Sequence, residues 1–305
     1  MAGRTFIVGS RGSRLALRQT EIVQEALRRL HPSAAFQVRT IKTAGDRTTA
    51  SLNEIGGRGV FVIELERELL SGGIDIAVHS LKDLPSQETS GLTIAAVPPR
   101  EDARDALFSR DARTLAGIPA GARVGTGSPR RAAQITALRP DLVVADIRGN
   151  VDTRLRKVEE GEYDAVVLAA AGLARLGWLD RATQVFDPGE MLPAVGQGAL
   201  AIQVRDEDSE IRGLVSAADD AATRAAVTAE RAFEKRLGGG CHAAIAAFGE
   251  FGAGRLRLRG LVGAADGTLL RGETEGPAED AGRLGVALAE RLLSEGASAL
   301  LETAV

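Results

Sequence analysis

The sequence contains a single cysteine, Cys241, and only three histidines among its 305 residues. One cysteine cannot form an intrachain disulfide, so we expect the chain in a reducing compartment, the cytoplasm. One cysteine and three histidines also show no spacing typical of metal ligands, and we predict no metal site. The sequence has no GxxxxGK(S/T) loop either, so the strongest marker of nucleotide hydrolysis is missing.

Aromatic residues are also scarce, at 3% of the chain, and the formal net charge is only -3. Both values argue against a nucleic-acid-binding surface, because phosphate neutralisation needs a basic excess and base stacking needs aromatic rings. No run of about 18 uninterrupted apolar residues occurs, so we expect no transmembrane helix. The N-terminal segment lacks the apolar stretch of a secretory signal, which gives the same expectation of a soluble cytoplasmic protein.

What the chain does contain is ordinary for a folded protein, with 44% hydrophobic and 26% charged residues. Its length exceeds the roughly 100–200 residues of one domain, so we expect two or three domains. Strand-like runs such as 5–10 and 74–80 alternate with helical patterns, which indicates βαβ units and a parallel sheet. Proline-containing segments at 98–102 and 188–193 suggest two crossings between domains. The apolar run 199–204 is then predicted to return to the first sheet.

The C-terminal part has a different pattern and predicts a small α+β unit. A helical pattern over 221–237 ends at the glycines 238–240. Three strand-like runs follow, and Asp266 and Gly267 between the last two form a hairpin signal. A final helix is predicted over about 279–294. The predicted fold class is therefore α/β, with a smaller α+β C-terminal domain.

One internal repeat indicates where a ligand binds. GSRGSRLALRQ and GTGSPRRAAQ both place a strand, a Gly/Ser turn, a serine, basic residues and then a helix. The serines, Ser13 and Ser128, stand at the predicted helix starts, where unpaired N–H groups and a partial positive charge favour anions. The two serines could instead be simple N-caps, which are common in any α/β protein. The basic residues beside both turns favour the anion-binding interpretation.

Arginines collect at these turns and at other predicted strand ends. Arginine suits carboxylates, because its planar guanidinium donates two parallel hydrogen bonds and stays charged. A single arginine is usually a solvated surface residue, but the ends of parallel strands converge on the cleft of an open α/β sheet. We therefore predict a carboxylate-binding group that contains Arg11, Arg14, Arg130, Arg131, Arg148, Arg154 and Arg175.

The segment HSLKDLP places His79, Lys82 and Asp83 at the end of a predicted buried strand. An acid beside a lysine suits general acid/base catalysis, because the lysine keeps the acid ionised. Asp83 could equally cap a turn, and His79 could be a structural histidine. Asp46, in KTAGDRT, is a second candidate acid.

Cys241 follows three glycines, which leaves its sulfur accessible. Only the thiolate is a good nucleophile, and an unperturbed pKa near about 8.5 leaves a small ionised fraction at neutral pH. A lone cysteine is by default buried and inert. Because His242 is the next residue, a thiol-dependent acyl-transfer enzyme that uses Cys241 and His242 is an alternative function. A non-catalytic small-molecule binding protein with a two-lobed cleft would need neither Cys241 nor Asp83.

Seven segments together resemble the porphobilinogen deaminase, or hydroxymethylbilane synthase, family. They are GSRGSRLALRQT, KTAGDRT, HSLKDLP, VGTGSPRRAAQ, DIRGNVDTRLRK, LPAVGQGAL and GGGCHAAI, in the family's order over nearly the whole chain. The resemblance implies two periplasmic-binding-protein-like domains with a smaller α+β C-terminal domain. The expected boundaries are 1–98 with 195–216 for the first domain, 102–191 for the second and 220–305 for the third.

The resemblance also implies a transferase of haem biosynthesis, which polymerises porphobilinogen head-to-tail into the linear tetrapyrrole hydroxymethylbilane with release of ammonia. It implies a dipyrromethane cofactor joined by a thioether to Cys241, Asp83 as the catalytic residue, and a monomer that binds neither nucleic acid nor membrane. The residues that match cofactor contacts are Cys241, Arg11, Ser13, Lys82, Asp83, Ser128, Arg130, Arg131 and Arg148. Those that match substrate contacts are Arg11, Arg148, Arg154, Arg175 and Gln197. Other cleft-lining matches are Asp46, Ser80 and Thr126.

Overall fold

The computed structural model describes residues 4–42, 62–238 and 243–302. Asp46, Cys241 and His242 lie outside the described residues, so what the sequence predicts for them stays a prediction. The strands of the described part are β1 (Thr5–Arg11), β2 (Ala35–Ile41), β3 (Ile76–Ser80), β4 (Leu92–Ala96), β5 (Asp105–Ser109), β6 (Arg123–Gly125), β7 (Val143–Ala145), β8 (Ala165–Ala169), β9 (Gln184–Val185), β10 (Leu200–Arg205), β11 (Ala244–Gly252), β12 (Arg255–Gly263) and β13 (Leu269–Pro277).

Helices follow several of the first ten strands, and helices also stand before and after the last three. They are α1 (Arg14–Leu30), α2 (Ile63–Leu70), α3 (Pro129–Leu138), α4 (Val151–Glu159), α5 (Ala170–Arg175), α6 (Ser209–Ser216), α7 (Ala221–Leu237), α8 (Ala281–Leu292) and α9 (Ser298–Glu302). A short 3₁₀ helix, Leu81–Asp83, follows β3 directly. Among the described residues, no helix has the length and apolar character needed to cross a membrane.

The chain divides into two compact units. The first unit is drawn from residues 1–101 and 199–224, and the second from 102–198 and 225–305. The second unit contains two separate sheets. The division into three domains with the boundaries given above stays a prediction.

The first unit is built on one five-stranded sheet in the order β2-β1-β3-β10-β4. Strand β10 pairs with β3 and β4, which confirms the prediction that the run 199–204 returns to the first sheet. The prediction of a parallel sheet holds for β1, β2 and β3 but is wrong for β10, which is antiparallel to both neighbours. The βαβ rule predicts parallel pairing only for strands that a crossover helix joins, whereas residues 102–198 of the second unit separate β10 from β3 and β4 in the chain.

Apolar residues of the five-stranded sheet and of α1 pack together in the core of the first unit. Phe6, Val8 and Ile76 of the sheet are fully buried and pack with Val23 and Leu27 of α1. Burying a side chain of this size contributes roughly 1.5–3 kcal/mol, so α1 is held mainly by its apolar stripe. This packing fixes the N-terminus of α1 directly beyond the end of β1.

The larger sheet of the second unit has the order β7-β6-β8-β5-β9. Strands β6, β7 and β8 are parallel, whereas β5 is antiparallel to β8. The sequence does not indicate β5, because this strand has only five residues and shows no clear alternation of apolar and polar side chains. The core on one face contains Leu107, Val124, Ile135 and Val167, all buried.

The smaller sheet is antiparallel in the order β11-β12-β13 and packs against α7 and α8. Phe233 of α7 and Leu288 of α8 are buried against it, and a Cβ on Gly260 would come within 2.6 Å of the Phe233 ring. Glycine at this position therefore permits the close approach of α7 to the sheet. The predicted hairpin between β12 and β13 is confirmed, with Gly267 at φ +89°. The predicted α/β class with a smaller α+β C-terminal part is confirmed as well.

Candidate active site

The carboxyl ends of β1 and β3 lie side by side at one edge of the first sheet. Gly9 of β1 pairs with Ala77 of β3, and the two strands are parallel. Arg11 ends β1, while the 3₁₀ helix after β3 carries Lys82 and Asp83, all three half-buried. The register thus brings the predicted catalytic acid and two of the predicted cations to the same edge of the sheet.

Polar contacts connect the end of β3 with α1. The side-chain amide of Gln19 lies 2.8 Å from the Ser80 hydroxyl, from Nε2 to Oγ. Gln19 is buried, so this hydrogen bond holds Ser80 against the first turns of α1. Ser80 matches a position for which the sequence predicted a place in the cleft, and the contact fixes its orientation.

The two serines of the internal repeat are both N-caps. The Ser13 hydroxyl accepts a hydrogen bond from the backbone N–H of Ala16 at 3.3 Å at the start of α1. The Ser128 hydroxyl accepts one from the backbone N–H of Arg131 at 3.5 Å at the start of α3. The predicted helix starts are confirmed. A capping hydroxyl still carries its own proton, which it can donate to an anion, so the structure leaves both interpretations of the serines in place.

His79 is a buried residue of β3, with 5% of its surface exposed. Burial lowers the pKa of His79 to about 4, the Gln203 side chain opposes this shift to a smaller extent, and the charge of Arg11 lowers the pKa further. The imidazole is therefore neutral at pH 7. It does not add a positive charge beside Arg11, and its pKa is too low for a general acid at neutral pH.

The low pKa of His79 predicts that acid destabilises the fold. In the unfolded chain the imidazole takes up a proton near pH 6.5, whereas in the folded protein it does so near pH 4. The stability that comes from a neutral His79 is therefore complete above about pH 6.5 and is lost as the pH falls toward 4. Between pH 7 and 5 this loss amounts to about 2 kcal/mol.

Chemical unfolding at the two pH values measures this effect. His79→Gln removes the titrating group, so its loss of stability between pH 7 and 5 should be smaller than that of the wild type by about 2 kcal/mol. Equal pH dependence in His79→Gln and the wild type would contradict the assignment.

In the second unit, the predicted arginines follow the parallel strands. Arg130 and Arg131 lie in the first turn of α3, after β6. Arg148 lies between β7 and α4, and Arg175 ends α5, which follows β8 without a loop. Since the carboxyl ends of parallel strands meet at one edge of a sheet, the topology collects these cations there. Arg154, on α4, follows the same connection as Arg148.

Arg130 and Arg131 are buried and share one carboxylate, Asp105 of β5. Arg130 donates to Asp105 Oδ2 at 2.6 Å and to the Leu192 carbonyl at 2.7 Å. Arg131 donates to Asp105 Oδ1 at 2.8 Å and to the Val167 carbonyl at 3.0 Å. Burial alone would raise the pKa of Asp105, but the charges of Arg130 and Arg131 outweigh it and hold that pKa below its usual range.

Each of the other predicted ligand arginines of this unit donates a hydrogen bond to a neighbouring loop. Arg148 is 31% exposed at its side chain and donates from Nε to Asp146 at 2.9 Å. Arg154 donates from Nε to the Gly149 carbonyl at 2.8 Å, and Arg175 donates to the Gly198 carbonyl at 2.6 Å. These hydrogen bonds orient the guanidinium groups relative to the loops at this edge of the sheet.

Two further predicted positions, Thr126 and Gln197, are buried. The Thr126 hydroxyl accepts from the backbone N–H of Ser128 at 3.1 Å and so shapes the turn before α3. The Gln197 side chain donates to the Ala103 carbonyl at 2.7 Å and to Asp105 at 2.9 Å. These contacts are internal, so direct contact of Gln197 with a substrate stays a prediction.

Asp105 contacts both Arg130 and Arg131, yet no sequence motif indicates it. It is the last residue of the charged segment PREDARD and the first of a short strand, and nothing in that segment distinguishes it from its acidic neighbours Glu101 and Asp102. Among the described residues, no group of three or more His, Cys, Asp or Glu side chains is placed to hold a metal ion.

Known proteins match this chain over nearly its whole length. A family model described as "Porphobilinogen deaminase, dipyromethane cofactor binding domain" matches residues 6–213. A second, "Porphobilinogen deaminase, C-terminal domain", matches residues 224–294. Among solved structures, a methionine binding protein aligns with a TM-score of 0.47 and 12% identity, over 70% of this chain and 89% of its own.

Curated relatives named porphobilinogen deaminase agree with both family models. The chain is 50% identical to one from Roseiflexus sp. (strain RS-1) over 299 residues, which is 98% of this chain and 99% of the relative. It is 49% identical to one from Thermus thermophilus over 300 residues, 98% of each chain. On these matches, and with the motifs and strand ends described above, the chain belongs to the porphobilinogen deaminase family, a family of enzymes.

Proposed function

We propose that the protein is a transferase that joins porphobilinogen units head-to-tail into hydroxymethylbilane and releases ammonia, on a dipyrromethane primer bound through a thioether to Cys241. Family membership supports this reaction class. The observation that carries the proposal is the collection of arginines at the carboxyl edge of β6, β7 and β8. Each pyrrole unit bears an acetate and a propionate group, so a growing chain needs several cationic sites.

The arginine side chains of the second unit suit a ligand that carries several carboxylates. Arg148, Arg154 and Arg175 approach from three different connections, and each is oriented by a hydrogen bond to a loop. Guanidinium groups bind carboxylates in bidentate pairs and stay charged at all physiological pH values. We assign these three arginines, with Arg11 and Gln197, to the substrate side chains. We assign Arg11, Ser13, Lys82, Ser128, Arg130, Arg131 and Arg148 to the primer.

Asp83 is the proposed catalytic residue. It lies in the 3₁₀ helix after β3, beside Lys82, and is half-buried. Loss of ammonia from porphobilinogen leaves an electron-poor azafulvene, whose positive charge a nearby carboxylate stabilises. The same carboxylate can deliver a proton to the departing amine and later remove one from the ring carbon. The short helix holds Asp83 in place for both tasks.

Cys241 is the proposed attachment point. When bound, the dipyrromethane supplies the pyrrole carbon on which the chain is extended. A covalent anchor keeps that carbon bound to the protein through successive condensations, so each one becomes a positioned reaction rather than a bimolecular encounter. The thiol is then used once, at attachment, and not in every turnover. A cytoplasmic location and a monomeric state complete the proposal, and the single cysteine agrees with a reducing compartment.

Incubation of the purified full-length protein with porphobilinogen tests the proposal. We expect one ammonia released for each porphobilinogen consumed, and hydroxymethylbilane as the product that appears first. Binding of porphobilinogen without release of ammonia would favour a small-molecule binding protein instead. Acyl transfer that is blocked by alkylation of Cys241, with porphobilinogen unchanged, would favour a thiol-dependent acyl-transfer enzyme.

A further inference from the structure

Asp105 has no role in the proposed reaction, yet it connects two of the arginines assigned to the primer. It is the first residue of β5, and its side chain is fully buried. Its Oδ2 accepts a hydrogen bond from Arg130 at 2.6 Å, and its Oδ1 accepts from Arg131 Nε at 3.0 Å and from the terminal nitrogen at 2.8 Å. Arginines thus occupy both carboxylate oxygens, and no exposed part of the side chain is left to contact a ligand.

Gln197 fixes the carboxylate from another side. Its amide nitrogen donates to Asp105 Oδ1 at 2.9 Å and to the Ala103 carbonyl at 2.7 Å, and Gln197 is itself fully buried. Asp105 is therefore held by the backbone next to β5 through Gln197. In this arrangement the positions of both guanidinium groups depend on one carboxylate whose own position is fixed.

The charges of this group explain why a carboxylate is needed there. Two guanidinium groups and one carboxylate sum to a single positive charge, which still attracts an anionic ligand. Without the carboxylate, two buried cations would repel each other across a medium of low dielectric constant, and they would have to separate or take up water. The carboxylate thus lets Arg130 and Arg131 stand side by side.

We propose that Asp105 is a positioning residue, which orients the guanidinium groups of Arg130 and Arg131 for the carboxylates of the primer and does not itself touch the primer. The inference rests on the proposed function, because that function assigns both arginines to the primer. It also gives Gln197 a supporting role, through its hydrogen bond to Asp105.

Asp105→Asn in the full-length protein tests this role. Intact mass after size-exclusion chromatography gives the fraction of folded protein that carries the primer, and we expect that fraction to fall at least about tenfold. The turnover number per loaded molecule should stay within about threefold of the wild type, because Asp105 does not contact the reacting atoms. Asp141→Asn is the matched control: it removes an exposed carboxylate of the same unit that also pairs with an arginine, Arg139, and should leave the loaded fraction unchanged.

Asp105→Glu tests the positioning role if Asp105→Asn does not fold. The glutamate keeps the negative charge but moves the carboxylate by one methylene, so we expect a folded protein with a loaded fraction at least about threefold below the wild type. If folded Asp105→Asn or Asp105→Glu carries the primer to the same extent as the wild type, the positioning role is wrong. It is also wrong if Asp105→Asn lowers the turnover number per loaded molecule as much as it lowers the loaded fraction. A wild-type protein that lacks the primer mass overturns the proposed function instead.

Discussion

Asp83→Asn should lower kcat by at least about 100-fold and leave the attached primer in place. General acid/base catalysis typically contributes 100- to 10,000-fold, and the stabilisation of a developing charge adds to it. An asparagine keeps the shape of the side chain but carries no negative charge and takes up no proton. Because Asp83 lies in a short helix directly after β3, the substitution changes the chemistry at that position without changing the backbone.

Steady-state kinetics with porphobilinogen, together with intact mass, separates the two parts of this prediction. The variant should have the same mass excess over its sequence as the wild type, and a strongly reduced kcat. Glu88→Gln is the matched control, since it neutralises an exposed carboxylate five residues further along the connection between β3 and β4 and should turn over normally. Normal turnover by Asp83→Asn would refute the assignment of Asp83.

Local signals in the sequence predicted local features of the fold well. Ser13 and Ser128 indicated the starts of α1 and α3, because a capping serine before an apolar helical pattern has a direct physical role. Asp266 and Gly267 indicated the turn between β12 and β13, because the turn needs a residue with positive φ. The motifs around Asp83 and the arginines predicted residues near the ends of parallel strands, and the structure has them there.

Features that depend on distant residues were not predictable in the same way. The antiparallel directions of β10 and β5 are relative to strands that are distant in the chain, and no local pattern records such pairings. Asp105 resembles its acidic neighbours in sequence, and only the fold shows that it is buried between two arginines. Likewise, only the fold shows that the Gln197 side chain donates to Asp105 and to the Ala103 carbonyl.

Cys241→Ser should abolish both the primer and the activity, the largest effect that we predict. A serine hydroxyl is not a comparable nucleophile at neutral pH, because its proton is held far more tightly than that of a thiol. Without the covalent anchor, the first condensation would be a bimolecular reaction, and the advantage of a positioned pyrrole would be lost. Hydroxymethylbilane formation should fall below detection, and the variant mass should equal the mass of its sequence.

Folding controls separate this effect from a loss of structure. Cys241→Ser should show the wild-type far-ultraviolet circular dichroism spectrum, because the change replaces one atom of a small side chain. His242→Gln serves as the neighbouring control, and it should keep both the mass excess and the turnover. Loss of activity in His242→Gln with the primer retained would point to a role of that imidazole in the chemistry. Full activity of Cys241→Ser would exclude the tether.

The intact mass of the purified, active wild-type protein tests the central claim most directly. We predict a mass that exceeds the mass of the sequence by one dipyrromethane, together with a Cys241 thiol that resists alkylation under denaturing conditions. An unmodified mass and a fully alkylatable Cys241 in protein that converts porphobilinogen to hydroxymethylbilane would contradict the claim.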